Sequence, residues 1–463
     1  MKTKAGLILI LVFFVLATAA QNKIVIGKIK IEGNKKTKAP IILRELMFAP
    51  DSVFTPSQWI KVKEKSRENL VNTSLFHTAG ISLQHREKDT ADVLIKVVER
   101  WYLWPIPQVD IYERNFNVWW QTKSLERLSA GVFLTQENFR GRMEKLMLLF
   151  MAGYNKQLGI AYDAPYINKA KTFGLGAEVI WSSRHEVNAM TAADKQVYYK
   201  DVDNPVRRDL LAAIHFRYRK NYYISHLLQL RYRSFYFSDS LLTNAPAYTW
   251  KGIADLPFFG CYYKLKIDHR DYKPYPLKGY YVDFELFSNG WGLLNNSDMV
   301  LLDLKTTMRK YFKLAGRIYA AGSFTGKISN HGNEPYVLTN SLGYGRDFVR
   351  GYEYYVVDGP AYGVVKTNIK WAMIPKRVLK LNFIKTEKFN TIPYAFYLNI
   401  FADAGFVNRS KTVDPSNRLP GTWLYSAGVG IDFSTYYDKV ARFEVAVNAL
   451  GETGFFLHFI API

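Results

Sequence analysis

Leu342-Gly-Tyr-Gly-Arg-Asp-Phe-Val349-Arg350-Gly351-Tyr352-Glu353, followed later in the chain by Phe401-Ala-Asp403-Ala-Gly405, decides how this sequence is read. An arginine set among glycines in a long loop is ordinarily a solvated turn. Here the surrounding sequence offers such a loop a polar cavity, because from about residue 100 onward alternating patterns replace helical ones. The expected architecture is a barrel and its plug.

The 463 residues could hold two or three soluble domains, yet aromatic residues make up 16% of them and one large sheet with one small partner is the simpler account. A net charge of +22 ordinarily points to nucleic acid or an anionic membrane. The basic residues are instead spread over many alternating strands, so no nucleic-acid partner is expected. Cys261 is the single cysteine, which excludes an intrachain disulfide.

Residues 1–20 read as a secretory signal peptide. Lys2 and Lys4 precede the apolar run Leu7 to Leu16, and the small residues Ala17-Thr-Ala-Ala20 follow before Gln21, which places cleavage after Ala19 or Ala20. The alternative, an uncleaved anchor, is disfavoured because the apolar run falls short of the roughly 20 residues a spanning helix needs.

Residues 21–100 read as a small α+β domain in the order β-α-α-β-β. Ile24 to Ile31 alternates as a strand and closes at Glu32-Gly33-Asn34, and Ile42 and Leu46 recur at helical spacing. Ser57 is the expected cap of a second helix, and Gly80 to His85 and Ala91 to Val98 alternate as two further strands. Glu32-Gly-Asn34, Asn69 to Phe76 and Val97-Val-Glu99 together resemble the signature of a polypeptide-transport-associated (POTRA) domain, present once.

Residues 101–463 read as sixteen strands: 105–112, 126–135, 143–152, 157–164, 172–182, 210–220, 223–237, 261–270, 279–290, 299–311, 313–324, 361–372, 393–402, 423–434, 440–448 and 453–460. Parity within them separates two faces. Tyr394, Phe396, Leu398, Ile400 and Ala402 alternate with Tyr397, Asn399, Phe401 and Asp403. Val365, Thr367, Ile369 and Trp371 alternate with Lys366, Asn368 and Lys370, and Phe443, Val445 and Val447 alternate with Arg442, Glu444 and Asn448. A soluble sandwich would show the same alternation, but it needs neither a secretory leader nor tyrosines at the apolar strand ends. The connections after odd strands are long (183–209, 238–260, 325–360, 403–422) and those after even strands mostly short, 373–392 excepted. An even strand count with short turns on one side and long loops on the other is the pattern of a transmembrane β-barrel of the outer membrane.

The loop 325–360 is the longest, and its glycines permit it to fold back into the lumen. Asp403 has inward parity, so a bidentate Arg350–Asp403 contact is geometrically reasonable. From spacing alone, the solvated alternative for Arg350 is favoured. The residues themselves weigh the other way. Val349-Arg350-Gly351-Tyr352 with Phe401-Ala-Asp403-Ala-Gly405 resembles the paired motif of the BamA/TamA superfamily of outer-membrane barrels, the bacterial surface antigen family. Asp268-His-Arg-Asp271 leading to Pro276-Leu-Lys-Gly279, and Asn138-Phe-Arg-Gly141, are similar to that family's strand-turn signatures. The resemblance implies that Arg350 sits on a loop tucked into the lumen and pairs with Asp403 on the barrel wall. Glu452-Thr-Gly454-Phe-Phe-Leu457-His-Phe459 resembles the C-terminal signal by which barrel precursors are recognised, although Ile460-Ala-Pro-Ile463 extends past it.

Pro105 and Pro107 cannot donate ladder hydrogen bonds. They leave two alternatives open: a weak lateral seam between the first strand and the last, carried by Pro105, Pro107, Gly454, Leu457 and Phe459, or a stiffened interdomain linker. The resemblance implies a mainly β protein of the outer membrane, with its POTRA domain in the periplasm, acting on unfolded outer-membrane or secreted protein clients. Accessory lipoproteins, periplasmic chaperones and outer-membrane lipid are the other partners it implies. A passive diffusion pore, or a dedicated exporter of one protein or lipid, is the alternative. No Gly-x-Ser-x-Gly motif, no histidine or cysteine cluster and no phosphate-cradling loop occurs, so neither catalysis nor a cofactor is expected.

Overall fold

The alternating run at Ile24 forms β1 (Ile24–Glu32) of a computed structural model that describes residues 23–87, 89–111, 128–294, 298–330, 335–339, 341–384, 386–410 and 413–459. The expected leader, residues 1–20, lies outside the described residues. The chain divides into two units after Arg100.

The first unit continues with α1 (Ala39–Leu43), β2 (Val53–Phe54), α2 (Pro56–Val71), β3 (Phe76–Glu87) and β4 (Thr90–Glu99). Its sheet runs β2-β1-β4-β3, with β1 and β4 parallel. Ile26, Ile42, Leu70, Phe76 and Ile95 are buried between sheet and helices, the expected product of period-two and period-3.6 patterns facing one another. β2, absent from the sequence reading, is two residues long and pairs Val53 with Val25 and Phe54 with Ile24. Two residues are too few to show alternation.

Thr55, not Ser57, caps α2. The Thr55 hydroxyl accepts from the Gln58 backbone N–H at 3.3 Å while the Gln58 side chain accepts from the Thr55 N–H at 2.9 Å. Pro56 occupies the first helical position, where its fixed φ starts the helix upstream of Ser57. Thr55→Ala is expected to destabilise this domain by about 1 kcal/mol, measured as a lowered urea midpoint for the 24–100 domain; an unchanged midpoint would mean that the cap contributes nothing.

In the second unit the strands are β5 (Leu103–Ile111), β6 (Leu128–Phe139), β7 (Glu144–Gly153), β8 (Lys156–Ala164) and β9 (Phe173–Arg184). A side hairpin of β10 (Glu186–Ala192) and β11 (Lys195–Lys200) follows, then β12 (Arg207–Arg219), β13 (Ile224–Phe237), β14 (Asp255–Asp268), β15 (Gly279–Asn289), β16 (Leu301–Ala315) and β17 (Ile318–Ser329). The chain ends with β18 (Ala361–Lys380), β19 (Thr391–Val407), β20 (Trp423–Ser434), β21 (Val440–Asn448) and β22 (Thr453–His458). Without the side hairpin, these are the sixteen strands of one antiparallel sheet, in chain order from β5 to β22.

The two faces separate as parity predicts. Ile369, Ile400, Val429 and Val447 are 47%, 50%, 52% and 47% exposed, while Asn368, Lys370, Asn399 and Asp432 on the opposite face are between 0% and 2% exposed. An exposed apolar wall around a buried polar interior is costly in water and favourable in lipid. Half of the gap expected at 373–392 is strand, because β18 and β19 continue pairing as far as Lys380↔Thr391. β14 likewise begins at Asp255 instead of residue 261. The β18 extension, residues 373–380, runs where apolar alternation fades, so register with β19, not pattern, defines it.

Candidate functional site

Between β17 and β18 the chain turns back into the barrel and buries the four residues Val349 to Tyr352 against the inner face of β18 to β21. Arg350 is 3% exposed. Its Nε donates to Asp403 Oδ2 at 2.8 Å, its Nη2 to Asp403 Oδ1 at 2.5 Å, and its backbone N–H to Asp403 Oδ2 at 3.3 Å. Nη1 donates to Asn368 Oδ1 at 2.8 Å and to Glu444 Oε1 at 3.2 Å, and Nη2 donates also to the Thr367 carbonyl at 3.1 Å. The guanidinium lies 3.8 Å from the centroid of the Phe401 ring. A planar fork that satisfies two carboxylates, an amide and a carbonyl while stacking on a ring is chemistry that lysine cannot reproduce.

Each neighbour in the two motifs has a physical part. Gly351 has φ +88°, a left-handed turn that favours glycine, and its carbonyl accepts from Asn448 Nδ2 at 2.9 Å. The Tyr352 hydroxyl accepts from the Ala449 N–H at 3.2 Å. A Cβ at Gly405 would fall 2.6 Å from Val349 Cγ2, so the glycine makes room for the valine. Phe401 supplies the ring beneath Arg350, and a Cβ at Gly428 on the next strand would strike that ring at 2.5 Å.

Two further aromatics of the same loop reach the last strand. The Phe348 ring stacks on His458 at 5.5 Å and carries the Lys366 ammonium at 4.1 Å on its face. Tyr354 approaches Phe456 at 5.7 Å. The inserted loop therefore supports β22 from inside, a role that the sequence reading did not assign to Phe348 or Tyr354.

The side hairpin closes over the inserted loop. Ala193 and Asp194 take φ of +50° and +60°, the mirror-image turn of a two-residue hairpin. The Asp194 carboxylate accepts from the Arg418 and Leu419 N–H groups at 3.0 and 3.1 Å, and its carbonyl accepts from the Val356 N–H at 3.0 Å. Thr191 shares hydrogen bonds with the Tyr336 and Tyr344 hydroxyls, and Tyr344 donates to Asp358 at 2.6 Å. Sequence reasoning missed this hairpin because Ala-Asp is not the usual turn dipeptide. Its only signal was the alternation on either side.

The sheet ends at β5 and β22, each with one hydrogen-bonded neighbour among the described residues. Gly454 and Leu457 lie in β22 and Phe459 just beyond it. The Tyr102 carbonyl accepts from the Glu137 N–H at 2.7 Å. Since alternate residues of an antiparallel strand bond to the same side, residues 104, 106 and 108 face β6, and Pro105 and Pro107 face the free edge. The prolines thus cost the existing ladder nothing and delete two donors from the free edge of the sheet. Trp101 N–H donates to the Tyr437 hydroxyl at 3.0 Å, and Trp104 packs edge-on against the same ring at 4.8 Å. The beginning of β5 therefore reaches the turn between β20 and β21.

Among the described residues, no group of three or more His, Cys, Asp or Glu side chains is arranged to hold a metal ion.

Residues 24–100 match the family model of the POTRA domain, "Surface antigen variable number repeat". No curated protein matches the chain by sequence. Among solved structures, BamA from Haemophilus ducreyi lacking POTRA domains 1–3 is similar over 94% of this chain and 83% of that one, at 16% identity and a TM-score of 0.51. CdiB from Escherichia coli is similar over 94% of this chain and 75% of that one, at 12% identity and a TM-score of 0.54. At these identities the likeness is one of fold. Residues 24–100 accordingly match the POTRA model of surface antigen repeats, and the sixteen-stranded barrel that follows has the fold of the BamA and CdiB barrels.

Proposed function

We propose that this chain is an outer-membrane factor that inserts or translocates polypeptides. Clients dock at the POTRA domain in the periplasm and pass through or beside a barrel whose lumen loop is anchored by Arg350. The observation that carries the reading is the anchor itself. A passive pore gains nothing from a buried guanidinium held by Asp403, Glu444 and Asn368 across its interior, whereas a device that must hold a loop and release it does. The small domain adds to this, because the edge of β3 is open at the end of its sheet and an extended client segment can pair with such an edge.

The free edge of β5 gives a client strand a second place to pair. β22 is only six residues long and no ladder joins it to β5 among the described residues, so moving it aside breaks no strand pairing there. The reading assigns the protein no catalysis and no cofactor.

Depletion followed by quantitative outer-membrane proteomics tests the function, with wild-type and Arg350→Ala genes as complements. Broad loss of barrel proteins, rescued by wild type and not by the variant, is the result expected of a general insertase. Loss of one surface protein indicates a dedicated transporter. An unchanged outer-membrane proteome overturns the proposal in favour of the pore.

A further inference from the structure

The connection between β14 and β15 lies at the opposite end of the barrel from the inserted loop, yet it too enters the lumen. Tyr275 at its centre is 3% exposed. Its ring stacks on Tyr397 at 4.6 Å and receives the Lys370 ammonium at 4.7 Å from its centroid. Ala372, Ala395 and Val440 complete the apolar seat. The Tyr275 hydroxyl donates to Asp432 Oδ2 at 2.7 Å.

Asp432 is the start of an ionic path. Its Oδ1 accepts from Arg442 Nε at 2.7 Å and from Asn399 Nδ2 at 2.9 Å, and its Oδ2 accepts from Arg442 Nη2 at 3.0 Å. Arg442 Nε stands 3.6 Å from Glu444 Oε1, and the same oxygen lies 3.2 Å from Arg350 Nη1. Asp432, Arg442, Glu444 and Arg350 are all at most 5% exposed, so water does not screen the steps between them.

We propose that Tyr275 is a positioning residue for the Arg350 anchor, acting through Asp432, Arg442 and Glu444, so that the β14–β15 turn and the inserted loop are held or released together. Arg442 divides its charge between Asp432 and Glu444. The tyrosine hydroxyl fixes the orientation of Asp432. Without that hydroxyl the carboxylate loses the contact that fixes it against Arg442, Arg442 turns toward Glu444, and the hold of Glu444 on Arg350 weakens. A side chain that merely filled the lumen would act through its ring and not through its hydroxyl.

The inference rests on the reading of the inserted loop as the working part of the barrel, but its test contains no client. Purified full-length protein is recorded in a planar bilayer, and the frequency of large openings is compared among wild type, Tyr275→Phe, Arg350→Ala and the double variant. Tyr275→Phe keeps the ring and its packing. Openings are expected to rise by about fivefold, the lower end of ordinary coupling between sites, and the double variant to open no more often than Arg350→Ala alone. Tyr262→Phe removes a hydroxyl that donates to Glu285 at 3.1 Å, away from this path, and is expected to leave the frequency unchanged. If Tyr275→Phe does not reach the folded, heat-modifiable form, Asp432→Asn replaces it, with the same rise expected. Wild-type opening in the path variant, additive effects in the double variant, or an equal rise in Tyr262→Phe would each overturn the proposal. A client assay that failed while these recordings behaved as expected would overturn the insertion reading alone.

Discussion

Replacing Arg350 by alanine is expected to destabilise the folded barrel by about 3–5 kcal/mol, the cost of removing one partner from a buried ion pair. The Asp403 side chain is 0% exposed and that of Glu444 1%, so Asp403 would lose its guanidinium with no water to replace it and Glu444 would be left with Arg442 at 3.6 Å. Asn368 and the Thr367 carbonyl would each lose a donor as well. Heat-modifiability on gels reads the effect as a lowered conversion temperature, and limited proteolysis reads it as cleavage within residues 341–359. Arg350→Lys is expected to recover only part of the loss. It restores one charge opposite Asp403, but a single ammonium cannot also reach Asn368, Glu444 and Thr367. An unchanged conversion temperature in Arg350→Ala would mean that the loop is held by Val349 and Tyr352 packing alone.

A disulfide that joins β5 to β22 is expected to abolish client assembly and to release it again on reduction. The single native thiol, Cys261, is replaced by serine beforehand so that the engineered pair is the only one able to form. The expectation follows from the edge chemistry. Pro105 and Pro107 remove two donors from the free edge of β5, β22 adds only six residues, and no ladder joins the two among the described residues, so a seam between them is where the wall would open at least cost. The inserted loop would govern that opening through Phe348 on His458 and Tyr354 on Phe456. Full client assembly by the locked protein would remove lateral opening from the mechanism and leave passage through the lumen.

The amino-acid sequence by itself determined the number and order of the strands in the large sheet and which face of each is apolar, because period-two alternation is local and survives without any knowledge of neighbours. It determined the small domain for the same reason, and the two motifs were legible as residue types: an arginine among glycines, and an aspartate two positions from both a phenylalanine and a glycine. What the residues do to one another was not legible. Only the tertiary structure decided that Gly405 exists to admit Val349 and that Phe401 lies under a guanidinium. Only there do Pro105 and Pro107 turn to the free edge. The docked hairpin at Asp194 and the buried Tyr275 belong to the same class. Each depends on contacts between segments far apart in the chain, and closing those distances is a property of the folded barrel that no local pattern carries.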